Sequence, residues 1–567
     1  MQTRDQRLAW WREARFGMFV HWGVYAQLGG TWREQPVKGY AEHIQRILKI
    51  PIPVYREQVA GHFNPTGFNA DEWIRTAKQA GMGYFIITAK HHDGFAMFDS
   101  KVSDYSIVKA TPFKRDPMKE LKVACQKYGV KFGFYYSQAF DWGEADAPGN
   151  DWDYDNPGGD RGLHGGRNWW ESSLELLPKA RKYVDEKAIP QLLELIRTYD
   201  PDILWFDTPH KLPESENLRI FKAVRQAKPN VIINGRLVRN LGDYASTADR
   251  PAEFAPHEGD WEGIPTTNES YGWNRNDHSH KPPAHFIQLL AKAAARGGNT
   301  LMNIGPMGDG RFDPADLAIL QGIGRWWQTN GESIRGTTRT PLPVQAWGES
   351  TRKGDRLFLH VFDWPRDGRL VLAGLKSPVK RAWLLADTQC AALAVNRLNP
   401  LDVRVDAPRA APDPDDSVVV VQTEGTAVCD SARLLLVNVA TNTLRVFDGE
   451  GHGKTLHFGA GKTRDAYVDS WSKANEFMAW PVRLNQPATF EVAVVYDAVA
   501  ESAGGHYAVS LGQQALHGTV KRGEIVQTSL GRVRLDPGAF EVRVSPERIE
   551  GAELMRLRSV LLRPVPQ

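Results

Sequence analysis

From residue 16 to about 330, short apolar runs alternate with longer stretches of helical period, and this alternation limits the possible folds more than any other feature. The runs are Phe16-Gly-Met-Phe-Val-His-Trp22, Tyr84-Phe-Ile-Ile-Thr-Ala-Lys90, Lys131-Phe-Gly-Phe-Tyr-Tyr-Ser137, Ile203-Leu-Trp-Phe-Asp207, Val231-Ile-Ile-Asn-Gly235 and Asn299-Thr-Leu-Met-Asn-Ile-Gly305. Helices are expected between them at 71–81, 117–129, 172–199, 215–227 and 284–297, several closing on a glycine suited to a C-cap. In the third, Leu192, Leu195, Ile196 and Tyr199 form an amphipathic stripe. Strands apolar on both faces and separated by helices imply a parallel sheet covered on both sides. A span of about 330 residues suits a (β/α)8-like, TIM-type barrel with insertions, with a doubly wound open sheet as the alternative. The polar residues His21, Lys90, His91, His92, Tyr136, Asp207 and Arg236 close runs from at least five strands. In a barrel such ends converge on one pocket at the C-terminal face, which favours the barrel.

After Pro341-Leu-Pro343 the pattern becomes alternating, as in Arg356-Leu-Phe-Leu-His-Val-Phe362 and Leu370-Val-Leu-Ala373, which indicates antiparallel β-structure. A Pro/Asp-rich loop at 407–416 precedes the strand at 418–422, and further strands are expected at 432–437, 488–496 and 539–544. The expected organisation is a catalytic barrel at 1–340, a β-sandwich at 341–430 and a second sandwich at 431–567.

Composition narrows the function. The 567 residues carry 70 Lys+Arg against 67 Asp+Glu, a net charge of +3, so no charged stripe points to nucleic acid or a membrane surface. No window holds the 18 or more apolar residues of a membrane-spanning helix. With 42% hydrophobic and 24% charged residues, the chain has the composition of a globular protein with a full core. Three cysteines, Cys125, Cys390 and Cys429, are too sparse for a disulfide framework and read as buried thiols. Nineteen Trp serve cores and sugar-stacking surfaces alike. Compartment stays open; a leader removed before this numbering would make the protein secreted or periplasmic.

Asp207 stands out, because an acid ending an apolar strand after Trp205 and Phe206 needs either a permanent cationic partner or a reacting carbon to face. His91 and His92 invite a metal reading, but neighbours on an extended segment point to opposite sides, so hydroxyl recognition is expected and no metal. His21, at the end of the first run, would join them. The segment 243–273 is rich in acids, among them Asp249, Glu253, Glu258, Asp260, Glu262 and Glu269. Cleavage of a glycosidic bond needs two carboxyl groups; Asp207 supplies one and this segment offers the other.

The segments Phe16-Gly-Met-Phe-Val-His-Trp-Gly23, Phe63-Asn-Pro with Phe68-Asn-Ala-Asp-Glu-Trp73, Thr88-Ala-Lys-His-His-Asp-Gly-Phe95, Phe132-Gly-Phe-Tyr-Tyr-Ser137, Leu204-Trp-Phe-Asp207 and Gly297-Gly-Asn-Thr-Leu-Met-Asn-Ile-Gly-Pro306 follow one another along the chain. Together, and in this order, they resemble glycoside hydrolase family 29, the α-L-fucosidases. The resemblance spans about 10 to 335. It implies a retaining, exo-acting hydrolase that removes terminal α-L-fucose from oligosaccharides or polysaccharides without metal or organic cofactor. Asp207 matches the nucleophile; His21, His91 and His92 match sugar-binding positions, and Glu42, Tyr136, Trp205 and Arg236 resemble further pocket residues. The chain departs from the family at His43, where a Trp would follow Ala41-Glu42, and this alters the pocket rim. For the acid/base, Gly242-Asp-Tyr-Ala-Ser-Thr-Ala-Asp249 puts Asp249 first, Glu262 second and Glu253 third. The rhythm of Glu476-Phe-Met-Ala-Trp480-Pro-Val resembles an appended carbohydrate-binding sandwich. The alternatives are the same machinery acting on α-L-galactose, which adds one hydroxyl to fucose, and a catalytically silent sugar-binding protein. An oligomer is compatible with all three.

Overall fold

The computed structural model describes residues 2–157, 169–238, 241–251, 253–459 and 466–565. Eight strands form one parallel sheet: β1 Phe16–Val20, β2 Tyr84–Lys90, β3 Lys131–Tyr136, β4 Ile203–Phe206, β5 Ile232–Ile233, β6 Ala245–Ser246, β7 Trp261–Gly263 and β8 Asn299–Ile304. Their order is β5-β4-β3-β2-β1-β8-β7-β6. That is the order of a ring cut between β5 and β6, and a parallel bridge from Asn234 to Tyr244 spans the cut. The (β/α)8-like barrel is therefore present, with two very short members. Its strands are apolar because helices cover them outside and side chains fill them inside: every residue of β1, β2 and β8 is buried.

The helices start where the sequence provides a cap. Helix α1, Arg4–Ala14, begins with a capping box in which Thr3 accepts from the Gln6 N–H and the Gln6 side chain reciprocates. Helix α2, Ala70–Gln79, is capped by Asn69, and α3, Pro117–Tyr128, by Asp116 with Pro at its first position. It closes at Gly129, whose φ of 63° is the left-handed conformation a glycine adopts freely. The expected helix at 172–199 is broken instead. A π-turn at Val184–Ala188 leads into α4, Ile189–Tyr199, because Pro190 has no N–H to donate and cannot continue the ladder. Three longer helices follow, α5 Glu214–Ala227, α6 Pro283–Ala295 and α7 Pro314–Asn330. Among the described residues no helix separates β5 from β6 or β6 from β7. Loops fill both gaps, and one of them carries Asp249.

Inside the barrel, Phe19, Tyr84, Ile86, Tyr135, Ile203, Trp205, Ile232, Tyr244 and Leu301 pack together, with Leu8 and Trp11 of α1 closing the bottom. At the centre lies Glu262, fully buried. Its Oε1 accepts from Trp205 Nε1 at 3.1 Å and Tyr244 Oη at 3.0 Å, and its Oε2 from Tyr84 Oη at 2.7 Å and Trp11 Nε1 at 3.3 Å.

By contacts the chain divides into two units: Met1–Arg250, Glu258–Phe286 and Gly298–Gly331 form one, and Pro251–His257, Ile287–Gly297 and Glu332–Gln567 the other. The second unit is antiparallel β-structure. A four-stranded sheet of Gly348–Lys353, Arg356–Val361, Ser417–Thr423 and Val379–Leu384 and a three-stranded sheet of Arg369–Leu372, Asp402–Asp406 and Ala394–Asn399 surround a core that includes Trp347, Leu357, Leu359, Val403, Val405, Val419 and Val421. Two six-stranded sheets surround the next core, built on Trp480, Phe490, Val492, Val494, Val542, Val544 and Leu562. The strand expected at 432–437 shrinks to Arg433–Leu434, since Asn442 takes both backbone groups of Leu436 with its side chain. Cys125 is buried, whereas Cys390 and Cys429 are half-buried, and all three are free thiols. Among the described residues no helix is long and apolar enough to cross a membrane.

Candidate active site

Side chains at the C-terminal ends of the barrel strands gather around Asp207, the residue after β4. Its Oδ2 accepts from Tyr135 Oη at 3.0 Å and its Oδ1 from Arg236 Nη1 at 2.9 Å and from the Thr208 N–H at 2.8 Å. The Asp207 N–H in turn donates to Gln138 Oε1 at 3.0 Å. The other half of the Arg236 fork holds the loop after β6: Nη2 donates to Thr247 O at 2.6 Å and to Asp249 Oδ1 at 3.0 Å. Asp249 Oδ2 also accepts from Tyr40 Oη at 3.3 Å. One guanidinium thus binds both carboxylates. Burial acts against its charge, but Asp249 and Asp207 outweigh that and hold its proton firmly. The Arg236 guanidinium lies 4.9 Å over the Trp205 ring, which is itself covered and floors the pocket.

The imidazoles come from two segments. His21 follows β1, and its Nδ1 lies 2.7 Å from Asn303 Oδ1. The Asn303 amide donates to Tyr271 O, so its oxygen faces His21, Nδ1 carries the proton, and Nε2 is left as an acceptor. Burial pushes the His21 pKa down to about 4. His92 Nδ1 lies 2.6 Å from Ser137 Oγ, whose own proton goes to Phe140 O at 2.9 Å. Its Nε2 stands 3.8 Å from Asp207 Oδ2. His91 stacks on Tyr135 with ring centroids 5.5 Å apart and lies 4.3 Å from His92. Burial lowers both imidazoles well below the usual range, so neutral rings line the pocket. Glu42 sits deeper, its Oε2 accepting from the Gly272 N–H at 2.8 Å and Ser270 Oγ at 3.2 Å, and burial raises it to about 7.

The structure thus brings together Asp207, Asp249, Arg236, His21, His91, His92 and Trp205, with Glu42 packed into the adjoining wall. Four expectations change. Tyr136 does not face the pocket: its hydroxyl donates to Gln191 of α4, and Tyr135 points inward instead. Alternation along a strand makes the two exclusive, and the pairing of Tyr135 with Trp205 chooses between them. Glu262 lies beneath the Trp205 floor with all its lone pairs engaged; burial raises it to about 7, but it has no route to a substrate. Glu253 is held by Lys292 at 2.6 Å and Arg296 at 3.4 Å; burial pushes it up, these cations outweigh that, and it rests at about 2, unsuited to hold a proton. His91 and His92 do not diverge, because the pairing of β2 with β3 shifts between Thr88 and Lys90 and the chain leaves extended geometry there. That shift sends Lys90 outward to Asp141 Oδ2 at 3.0 Å and Tyr183 Oη at 3.1 Å.

Other acids of the 243–273 segment are paired elsewhere, Asp260 with Arg4 and Arg12 and Glu269 with Arg250. Sequence reasoning missed Tyr135, Tyr40, Tyr271, Ser137, Gln138 and Asn303. Ser137 closes one recognised run and Asn303 lies two residues from the close of another, and counting polar residues near the strand ends would have found them.

A barrel whose C-terminal rim sets two carboxylates on a shared cation among neutral imidazoles has the pair of acids that glycoside hydrolysis requires. The family described as alpha-L-fucosidase matches residues 1–332. An alpha-L-fucosidase of Branchiostoma floridae is 29% identical over 401 residues, covering 65% of this chain and 82% of that protein. The structure of an alpha-L-fucosidase from Vibrio sp. strain EJY3 superposes with a TM-score of 0.78 at 25% identity, covering 99% of this chain and 98% of that one. A GH29 alpha-L-fucosidase from Bacteroides thetaiotaomicron, trapped as a covalent intermediate with 2-fluoro-fucosyl fluoride, gives 0.65 at 27% identity over 75% of this chain and 97% of its own. The present chain belongs to the α-L-fucosidase family.

Proposed function

We propose that the protein removes terminal α-L-fucose from fucosylated glycans with retention of configuration, Asp207 acting as nucleophile and Asp249 as acid/base. The observation that carries this reading is the Arg236 fork, which holds these two carboxylates, and among the described residues no third, at a pocket mouth where their side chains are 17% and 41% exposed. Asp207 attacks the anomeric carbon while Asp249 protonates the departing oxygen. Tyr135 and Arg236 keep the attacking carboxylate oriented, and the acceptor nitrogens of His21 and His92 are available to sugar hydroxyls. Once Asp207 is esterified it carries no charge. Asp249 then takes a proton from the incoming water, whose oxygen attacks the anomeric carbon and frees Asp207. The covalent intermediate trapped in the Bacteroides relative supports the two-step course. A division of labour in which 1–340 carries catalysis and the sandwiches at 341–430 and 431–567 support it, the last by binding carbohydrate, is part of the same proposal.

The test is azide rescue on an aryl α-L-fucoside, with the α-L-galactoside run in parallel. Asp207→Gly should lower kcat by about 10⁴ or more. Azide should restore turnover and yield the β-fucosyl azide, because it attacks the substrate directly. Asp249→Gly should yield the α-azide, formed from the glycosyl-enzyme. The opposite pattern reverses the two roles, and equal or preferred cleavage of the galactoside reassigns the sugar.

A further inference from the structure

Three imidazoles meet at the rim of this pocket. His91 and His92 follow β2, and His43 closes the short turn Ala41–His43. One ring nitrogen from each lies within 4.8 Å of the other two. The ring centroids are 4.3 Å apart for His91 and His92, 5.3 Å for His43 and His92 and 5.8 Å for His43 and His91. His92 is oriented as a metal ligand needs to be: Ser137 takes its Nδ1–H and leaves the Nε2 lone pair open. The Nδ1 of His91 is buried and makes no hydrogen bond among the described residues, so a donor atom there lacks a partner. Asp207 Oδ2, 3.8 Å from His92 Nε2, stands ready as a fourth ligand.

Neutral imidazoles suit zinc, nickel and copper, and burial holds all three rings neutral. Three cations oppose the ion. Arg46 Nη2 lies 3.5 Å from His43 Nδ1, at the limit of a hydrogen bond, and Lys90 and Lys211 act on His92, Lys90 being paired with Asp141. Zinc ligands at about 2.0–2.1 Å from the metal lie closer together than 4.8 Å, so small rotations of the rings complete the site. His43 supplies the third ligand, and an indole in its place would have no lone pair to give.

We infer that His43, His91 and His92 bind a divalent cation of the zinc, nickel and copper class, and that the bound ion blocks the pocket. The blocking half rests on the function proposed above; the binding half does not. The test is calorimetric titration of the metal-free full chain with zinc chloride, beside zinc inhibition of aryl fucoside hydrolysis, each variant normalised to its own zinc-free rate. The wild type should bind one zinc per chain and be inhibited over the same concentration range. His43→Trp and His43→Gln should each bind at least tenfold more weakly and lose the inhibition in parallel. Absence of stoichiometric binding in the wild type overturns the proposal. So do both variants binding like wild type, which would move the ion to a surface pair such as His457–Asp469 or His517–Glu547. Tight, His43-dependent zinc without inhibition overturns the blocking half. A chain that cleaves no α-L-fucoside sinks the functional proposal, while the titration still decides this one.

Discussion

Ser137 decides which nitrogen of His92 faces the pocket. Its hydroxyl proton is committed to Phe140 O, so the oxygen must accept from His92 Nδ1. Ser137→Ala removes that acceptor and lets the ring change tautomer. One hydrogen bond is worth about 1 kcal/mol, so KM for an aryl fucoside should rise by about five- to tenfold, more than kcat falls. Ser137→Thr keeps the hydroxyl and should restore KM, and steady-state kinetics on the three proteins would show it. An unchanged KM in the alanine variant would mean that His92 holds its orientation without Ser137. Asp207 was legible at this scale, because an acid closing an apolar parallel strand has few structural excuses. Tyr135 was not. Adjacent tyrosines on one strand are chemically identical, and only the register of β3 against β4, Tyr135 opposite Trp205, tells which one points inward.

The segment after β3 is held against the barrel by buried charge. Asp141 Oδ2 pairs with Lys90 at 3.0 Å and with Lys187 at 2.9 Å, all three side chains being almost fully covered. The Trp142 N–H then donates to His92 O at 2.7 Å, so this clamp and the histidine turn share one anchor. Asp141→Asn leaves two buried ammonium groups short of a counter-ion and should cost about 3–5 kcal/mol. A lowered unfolding midpoint, with faster hydrogen exchange across residues 138–150, is the expected signature. If the midpoint is unchanged, Glu144, which also reaches Lys187, must suffice as counter-ion. The longer elements were readable from period and caps: α3 lies between its caps Asp116 and Gly129, as its sequence suggests. Strands β6 and β7 were not, because two or three residues carry no period, and they are strands only because the ring supplies neighbours.

Over the whole barrel unit, buried groups of opposite habit offset each other with pH. His21, His43, His91 and His92 have lowered pKa values, so the unfolded chain takes up protons first as pH falls below about 6.5 and stability is lost. For His21 the loss builds to about 3 kcal/mol by pH 4, where the folded ring also protonates. Glu42, Asp93, Glu262 and Asp316 are raised to about 7 by burial, so the folded chain holds the extra protons and stability is lost as pH rises from about 4.3 to 7. The two slopes oppose each other in one window. Glu262→Gln removes one carboxyl, and its denaturant midpoint should therefore rise between pH 5 and pH 7 relative to wild type; a parallel pair of curves would mean that Glu262 does not titrate there.

At this scale the sequence alone determined the barrel, the antiparallel sandwiches and the family, because apolar period, caps and in-order motifs are local and survive without contacts. Only the tertiary structure decided that Tyr135 replaces Tyr136, that Glu262 is sealed below the floor, and that Asp249 shares Arg236 with Asp207. Those facts depend on register and on side chains far apart in the chain, and loop acids become distinguishable only when the cations around them are in place.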